Sequence, residues 1–212
     1  MKRLAVIAAF LVLVGTTAQA VTGRGLYELR FMFENDFIKK MPTFSTGVVI
    51  SEDGYSGGLR ATYGLTDNCY ARTDVMGIDL DIAENPGVGL RVGLGYKLPV
   101  MLKLDKLDFG LSVQYAKPFI EDFTVNQFGG GLTATYALDT WSLKHKLTLQ
   151  LGLGFRYTAW EMDAGPVTVD DTEFDFVITG GAAIPIIGKW KLFADAESSD
   201  ATLLRLGTRM KF

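Results

Sequence analysis

From residue 88 to residue 98, apolar positions alternate with glycine or charge: Val88, Leu90, Val92, Leu94, Tyr96 and Leu98 against Gly89, Arg91, Gly93, Gly95 and Lys97. A period of two places successive side chains on opposite faces of an extended chain, so this segment predicts a strand with one apolar and one polar face. Residues 107–116 and 147–158 repeat the pattern, and weaker versions run over 25–34, 56–64, 69–81, 128–138, 172–184, 189–197 and 202–212. The expectation is an all-β fold of about ten strands, with eight or twelve as alternatives. The alternation in 69–81 is expected to slip near Gly77.

Connections between these segments alternate in length. Tight ones cover 65–68, the stretch near Pro99, 139–146 and 185–188; looser ones cover 35–55, the stretches around Pro86 and Pro118, and 161–171. All six prolines are expected between strands or at strand ends, where a missing N–H is tolerated. Short connections favour antiparallel neighbours, so the architecture expected is a single antiparallel up-and-down barrel. Residues 43–50 read equally as part of the first long loop or as a strand extension.

Which face of that barrel meets solvent is decided by glycine. If the apolar face pointed inward around a greasy ligand, Gly89, Gly93, Gly95, Gly129, Gly131, Gly152, Gly154 and Gly181 would form the wet surface, where glycine weakens a strand and packs nothing. Turned inward, they make room for arginine and tyrosine side chains. Tyr63, Tyr96 and Tyr136 cluster at one set of strand ends, and Tyr115, Tyr157, Phe128 and Phe174 at the other, as two interfacial belts. The span from Leu147 to Tyr157, at roughly 3.3 Å per residue and a tilt near 40°, rises about 25 Å, the height of a transmembrane apolar band.

The two ends of the chain agree. Lys2 and Arg3 precede an apolar run from Leu4 to Val14, and Ala18-Gln19-Ala20 supplies the small residues of a cleavage site, so residues 1–20 are expected to be a cleaved signal peptide and 21–212 a single barrel domain. The last strand ends Gly207, Met210, Phe212, and residues 63–68 read Tyr-Gly-Leu-Thr-Asp-Asn. These motifs resemble those of small bacterial outer-membrane β-barrels, the group that includes the transmembrane domain of outer-membrane protein A. The resemblance implies that Gly207, Met210 and Phe212 form an assembly signal read by the barrel-assembly machinery, with the 65–68 turn on the periplasmic side. It also implies a location in the outer membrane of a Gram-negative cell, among lipid and lipopolysaccharide, as a monomer.

Charge narrows the functional classes further. Without residues 1–20 the chain holds 19 basic and 24 acidic residues, a balance that argues against nucleic acid as a partner. The inward face is expected to carry Glu28, Arg30, Glu34, Arg60, Arg72, Asp74, Arg91, Lys97, Asp108, Arg156, Glu173, Asp175, Lys191, Asp195, Glu197, Arg205, Arg209 and Lys211. A narrow lumen screens poorly, so such charges should pair. If residues 202–212 close the barrel against 25–34, Glu28 is expected near Arg209 or Lys211 and Glu34 near Arg205.

Chemistry is sparse. The single histidine, His145, lies in the 141–146 turn, on the rim opposite to the outer one where known outer-membrane barrel hydrolases and acyltransferases usually place a catalytic histidine, so no enzyme activity is expected. No phosphate-cradling glycine loop and no zinc-spaced cluster occurs, so neither cofactor nor metal is expected. Acidic residues in the outer loops match no dedicated calcium loop. The function expected is an integral outer-membrane barrel with a charged, largely plugged lumen and an envelope-structural or surface-contact role. The alternative is a narrow porin-like channel for ions or small solutes.

Overall fold

The computed structural model describes residues 40–51, 54–80, 86–99, 107–120, 123–139, 146–164, 167–199 and 202–211. Ten strands follow in chain order: β1 (Pro42–Ser51), β2 (Gly54–Gly64), β3 (Cys69–Leu80), β4 (Gly87–Leu98), β5 (Leu107–Ile120), β6 (Phe123–Asp139), β7 (Lys146–Ala164), β8 (Val167–Pro185), β9 (Trp190–Ser198) and β10 (Thr202–Lys211). Each pairs antiparallel with its sequence neighbours, and β1 pairs with β10 to close the cylinder. Closure leaves no sheet edge, so the strand hydrogen bonds are made within the wall.

The closing strand differs from the expected one. β10 pairs with β1 through Thr43↔Lys211, Ser45↔Arg209 and Val49↔Arg205 and with β9 on its other side, so residues 25–34 do not form the seam, while the expected approach of Glu28 to Arg209 or Lys211 and of Glu34 to Arg205 falls on residues outside those described. Glu28, Arg30 and Glu34 lie outside the described residues. Residues 43–50 also alternate, with Thr43, Ser45 and Gly47 inward and Phe44, Thr46 and Val48 outward. They reach β2 through two residues rather than twenty-one, and the shorter loop costs less closure entropy. The strand count stays at ten because this strand takes the place of the other.

The loops at one rim are also shorter than expected. β5 runs through Pro118, whose missing N–H is accommodated where the β5–β6 ladder skips from Ala116↔Gln127 to Phe119↔Thr124. Residues 161–171 form a paired arm, with β7 and β8 in register as far as Ala164↔Val167. At Gly77 no slip occurs: the register runs unbroken from Gly64↔Tyr70 to Gly54↔Leu80. The irregularity in the sequence comes from Met76 and Ile78, apolar residues that share the inward phase of Arg72 and Asp74.

At the other rim, henceforth the turn rim, Leu65–Asn68 is held by Thr66, whose Oγ1 accepts from the amides of Asn68 (3.2 Å) and Cys69 (2.9 Å). Between β8 and β9 the chain reverses through Gly188, which has φ of 57°; a side chain there would be strained, which is why glycine occupies it.

Exposure is inverted relative to a soluble protein. Leu59 is 66% and Phe176 79% exposed, whereas Arg156 is fully buried. The eight glycines named above share the inward phase of the buried charges. Two of the inward faces have an aromatic laid across them. A Cβ on Gly95 would fall inside the ring of Tyr70, its cross-strand partner, and the Phe193 ring lies over Gly207 and reaches Gly47 on the next strand. An apolar exterior around a polar interior is the arrangement of a barrel surrounded by lipid.

Candidate functional site in the barrel lumen

Alternation sends every second residue of each strand into the lumen, so charges distant in sequence converge there. Asp74 on β3 is the centre of one cluster. Its carboxylate accepts from Arg60 Nε and Nη2, both at 2.8 Å, a two-pronged contact. Arg91 Nε lies 3.2 Å from the same carboxylate and Arg72 Nε 3.8 Å. Arg72 also donates to the Gln114 side-chain oxygen on β5, and Arg91 Nη2 rests 3.9 Å from Met76 Sδ. Three guanidiniums thus share one carboxylate, all of them buried.

A second cluster reverses that ratio. Arg156 on β7 donates to Asp175 on β8 (3.1 Å), to Glu197 on β9 (3.0 Å) and to Ser199 Oγ (2.7 Å). Nearer the seam, Arg205 donates to Asp195 at 3.3 Å. Phe193 receives Arg205 at 4.4 Å and Arg209 at 5.6 Å from its ring centroid, two cation–π contacts on one side chain.

The described charges expected in the lumen differ in depth, with Glu173 and Lys191 half-buried. Arg60, Arg91, Arg156, Asp175, Asp195, Arg205 and Arg209 are buried inside the barrel. Asp108 sits inward at the turn rim, half-exposed, with Lys97 Nζ at 2.9 Å. Of the residues expected to form an assembly signal, Gly207 faces inward and Met210 outward, while Phe212 lies outside the described residues, as does His145.

Sequence reasoning missed two kinds of lumen residue. Tyr70 and Phe193 point inward, whereas the sequence names individual aromatic residues only for the outer belts; their period-two phase, shared with Asp74 and with Asp195, carries the signal. Apolar residues also turn inward toward the end opposite the turn rim. Ile78, Ile120, Val125 and Leu203 lie within two residues of the far ends of their strands and are buried. Ile78 and Ile120 flank Gly87, where a Cβ would stand 2.7 Å from the Ile120 Cγ1.

The structure is similar to small outer-membrane β-barrels. Among solved structures, the KdgM porin is 10% identical, with 80% of this chain and 99% of that one covered and a TM-score of 0.40. The N-terminal β-barrel domain of Pseudomonas aeruginosa OprF is 11% identical, covering 82% and 98%, TM-score 0.40. Ail, the attachment invasion locus protein of Yersinia pestis, is 10% identical, covering 82% and 100%, TM-score 0.39. No protein-family model and no curated protein matches the chain.

Chemically, the lumen is an ion-pair network. Among the described residues no three His, Cys, Asp or Glu side chains are arranged to hold a metal ion. A void of about 20 Å³ beside Ser45, Arg60, Asp74 and Arg205 has room for about one water.

Proposed function

We propose that this chain is an integral outer-membrane barrel with a closed lumen, exported by a signal peptide cleaved after Ala20, which stabilises the envelope or makes contact at the cell surface. One observation carries the closed-lumen reading: Gln127 and Arg156 are 0% exposed and Arg91 and Glu197 1%. Side chains that touch no water cannot line a water-filled path. The inward, buried Ile78, Ile120, Val125 and Leu203 near the far strand ends support the same reading, since apolar lining resists wetting.

The β7–β8 arm supports the surface-contact part. Beyond Tyr157↔Phe174, at the level of the far aromatic belt, seven further residue pairs continue to Ala164↔Val167, which is about 23 Å of ladder at 3.3 Å per residue. Glu161, Asp170 and Asp171 are exposed on it. By contrast β9 ends at Ser198.

Planar-bilayer recording of refolded protein tests the reading. The expected result is a membrane without current steps; stable, reproducible single-channel openings overturn the closed lumen in favour of a narrow channel.

A further inference from the structure

The outward wall of β3 to β7 carries an apolar groove of about 590 Å³, and we propose that it holds one acyl chain of a membrane lipid from the leaflet on the turn-rim side. The proposal rests on the membrane reading above.

The groove is a product of register. One row of outward side chains runs along the hydrogen bonds from Cys69 to Tyr96, Leu111 and Leu132. A second row, two residues further along each strand, joins Leu94, Val113, Gly130 and Phe155. Rows two residues apart stand roughly 6.6 Å from each other, leaving a trough one hydrocarbon chain wide. Gly130 contributes no side chain, so the second row dips there.

The trough has one open and one closed end. Cys69 is the first residue of β3, Tyr96 two residues from the end of β4, Leu111 four residues into β5, and Leu132 seven residues from the end of β6. The row therefore climbs away from the turn rim as it crosses the strands. Its foot opens beside exposed Leu65 in the turn. At the top, Phe155 stacks on Phe174 (5.9 Å between centroids) and meets Phe128 (6.3 Å), which closes it.

Length selects the occupant. Four strand spacings of about 4.8 Å give roughly 19 Å, and at a strand tilt near 40° the row rises about 12 Å, within the ~15 Å hydrocarbon depth of one leaflet. A chain anchored at the turn-side interface fills such a trough. A second barrel, convex and much wider than 6.6 Å, does not reach its floor.

The test is native mass spectrometry of the full-length protein extracted from outer membranes in mild detergent. The expected spectrum is a monomer carrying one diacyl lipid after repeated detergent washing. Val113→Trp fills the trough and is expected to lower the lipid-bound fraction at least tenfold. Leu132→Phe does the same more gently if the first variant folds poorly, as judged by heat-modifiable electrophoretic mobility. Leu90→Trp, outward on β4 but outside the trough, is expected to keep the lipid. Absence of the adduct, equal retention in Val113→Trp and Leu90→Trp, or a dimer mass overturns the proposal. Failure of the underlying membrane reading shows separately, as a protein that does not sediment with outer membranes after carbonate washing.

Discussion

The two sides of the lumen solve one electrostatic problem in opposite ways. On β2 to β4, one carboxylate, Asp74, serves Arg60, Arg72 and Arg91. On β7 to β9, one guanidinium, Arg156, serves Asp175 and Glu197. Among the described residues, three guanidiniums meet one carboxylate in the first cluster and two carboxylates meet one guanidinium in the second, and in a medium that screens poorly such an imbalance is costly. The excesses have opposite signs on opposite stretches of wall. Each cluster therefore depends on a single central residue, and the two favour each other across the lumen.

Removing Asp74 should have the largest effect. Asp74→Asn keeps the volume but leaves three buried guanidiniums without their shared anion, and a loss on the order of 3–5 kcal/mol is expected from breaking a buried pair on one side. The check is urea unfolding in lipid vesicles, followed by tryptophan fluorescence; a midpoint within error of the parent would mean that Asp74 is not the hub. Arg156→Met should come next, at about 3 kcal/mol. It strands Asp175 and Glu197, but two acids can relieve the strain by taking up a proton, which three arginines cannot do by losing one. If Arg156→Met proves the more damaging of the two, the contrast drawn between the clusters is reversed.

The smallest effect is expected at the turn rim. Lys97–Asp108 is 2.9 Å long, yet its side chains are 32% and 47% exposed. Lys97→Ala should cost about 0.2–1 kcal/mol and become harmless in high salt. A loss comparable to that of Asp74→Asn would show that distance from water does not set the strength of these pairs. Each of the three variants can also be recorded in bilayers, where new conductance in the first two but not in Lys97→Ala would tie closure to the buried clusters.

Much of this was legible before any coordinates. The alternation in residues 88–98 and 147–158 was decisive because a one-residue shift would turn every leucine into the lumen and every charge toward lipid. The seam was not legible. Residues 25–34 and 43–50 both alternate, and only the short connection to β2 and the partners available on β10 choose between them. The arm reads as a loop in sequence because Glu161 and Asp170, a cross-strand pair, are polar on a face that, lower down, is apolar. Above a membrane the outward face of a strand meets water, so the period-two signal fades although the strand continues.

Periodicity by itself sorted the side chains of each strand onto an apolar and a polar face, because side-chain direction in a strand depends only on odd and even position, and the glycines of the polar face turned that face inward. Closure decided the rest. Which strand meets β10, that Arg156 reaches across to Glu197, and that Tyr70 and Phe193 lie over glycines all follow from a register summed around ten strands. No local stretch of sequence carries that sum, since it exists only once the first and last strands meet.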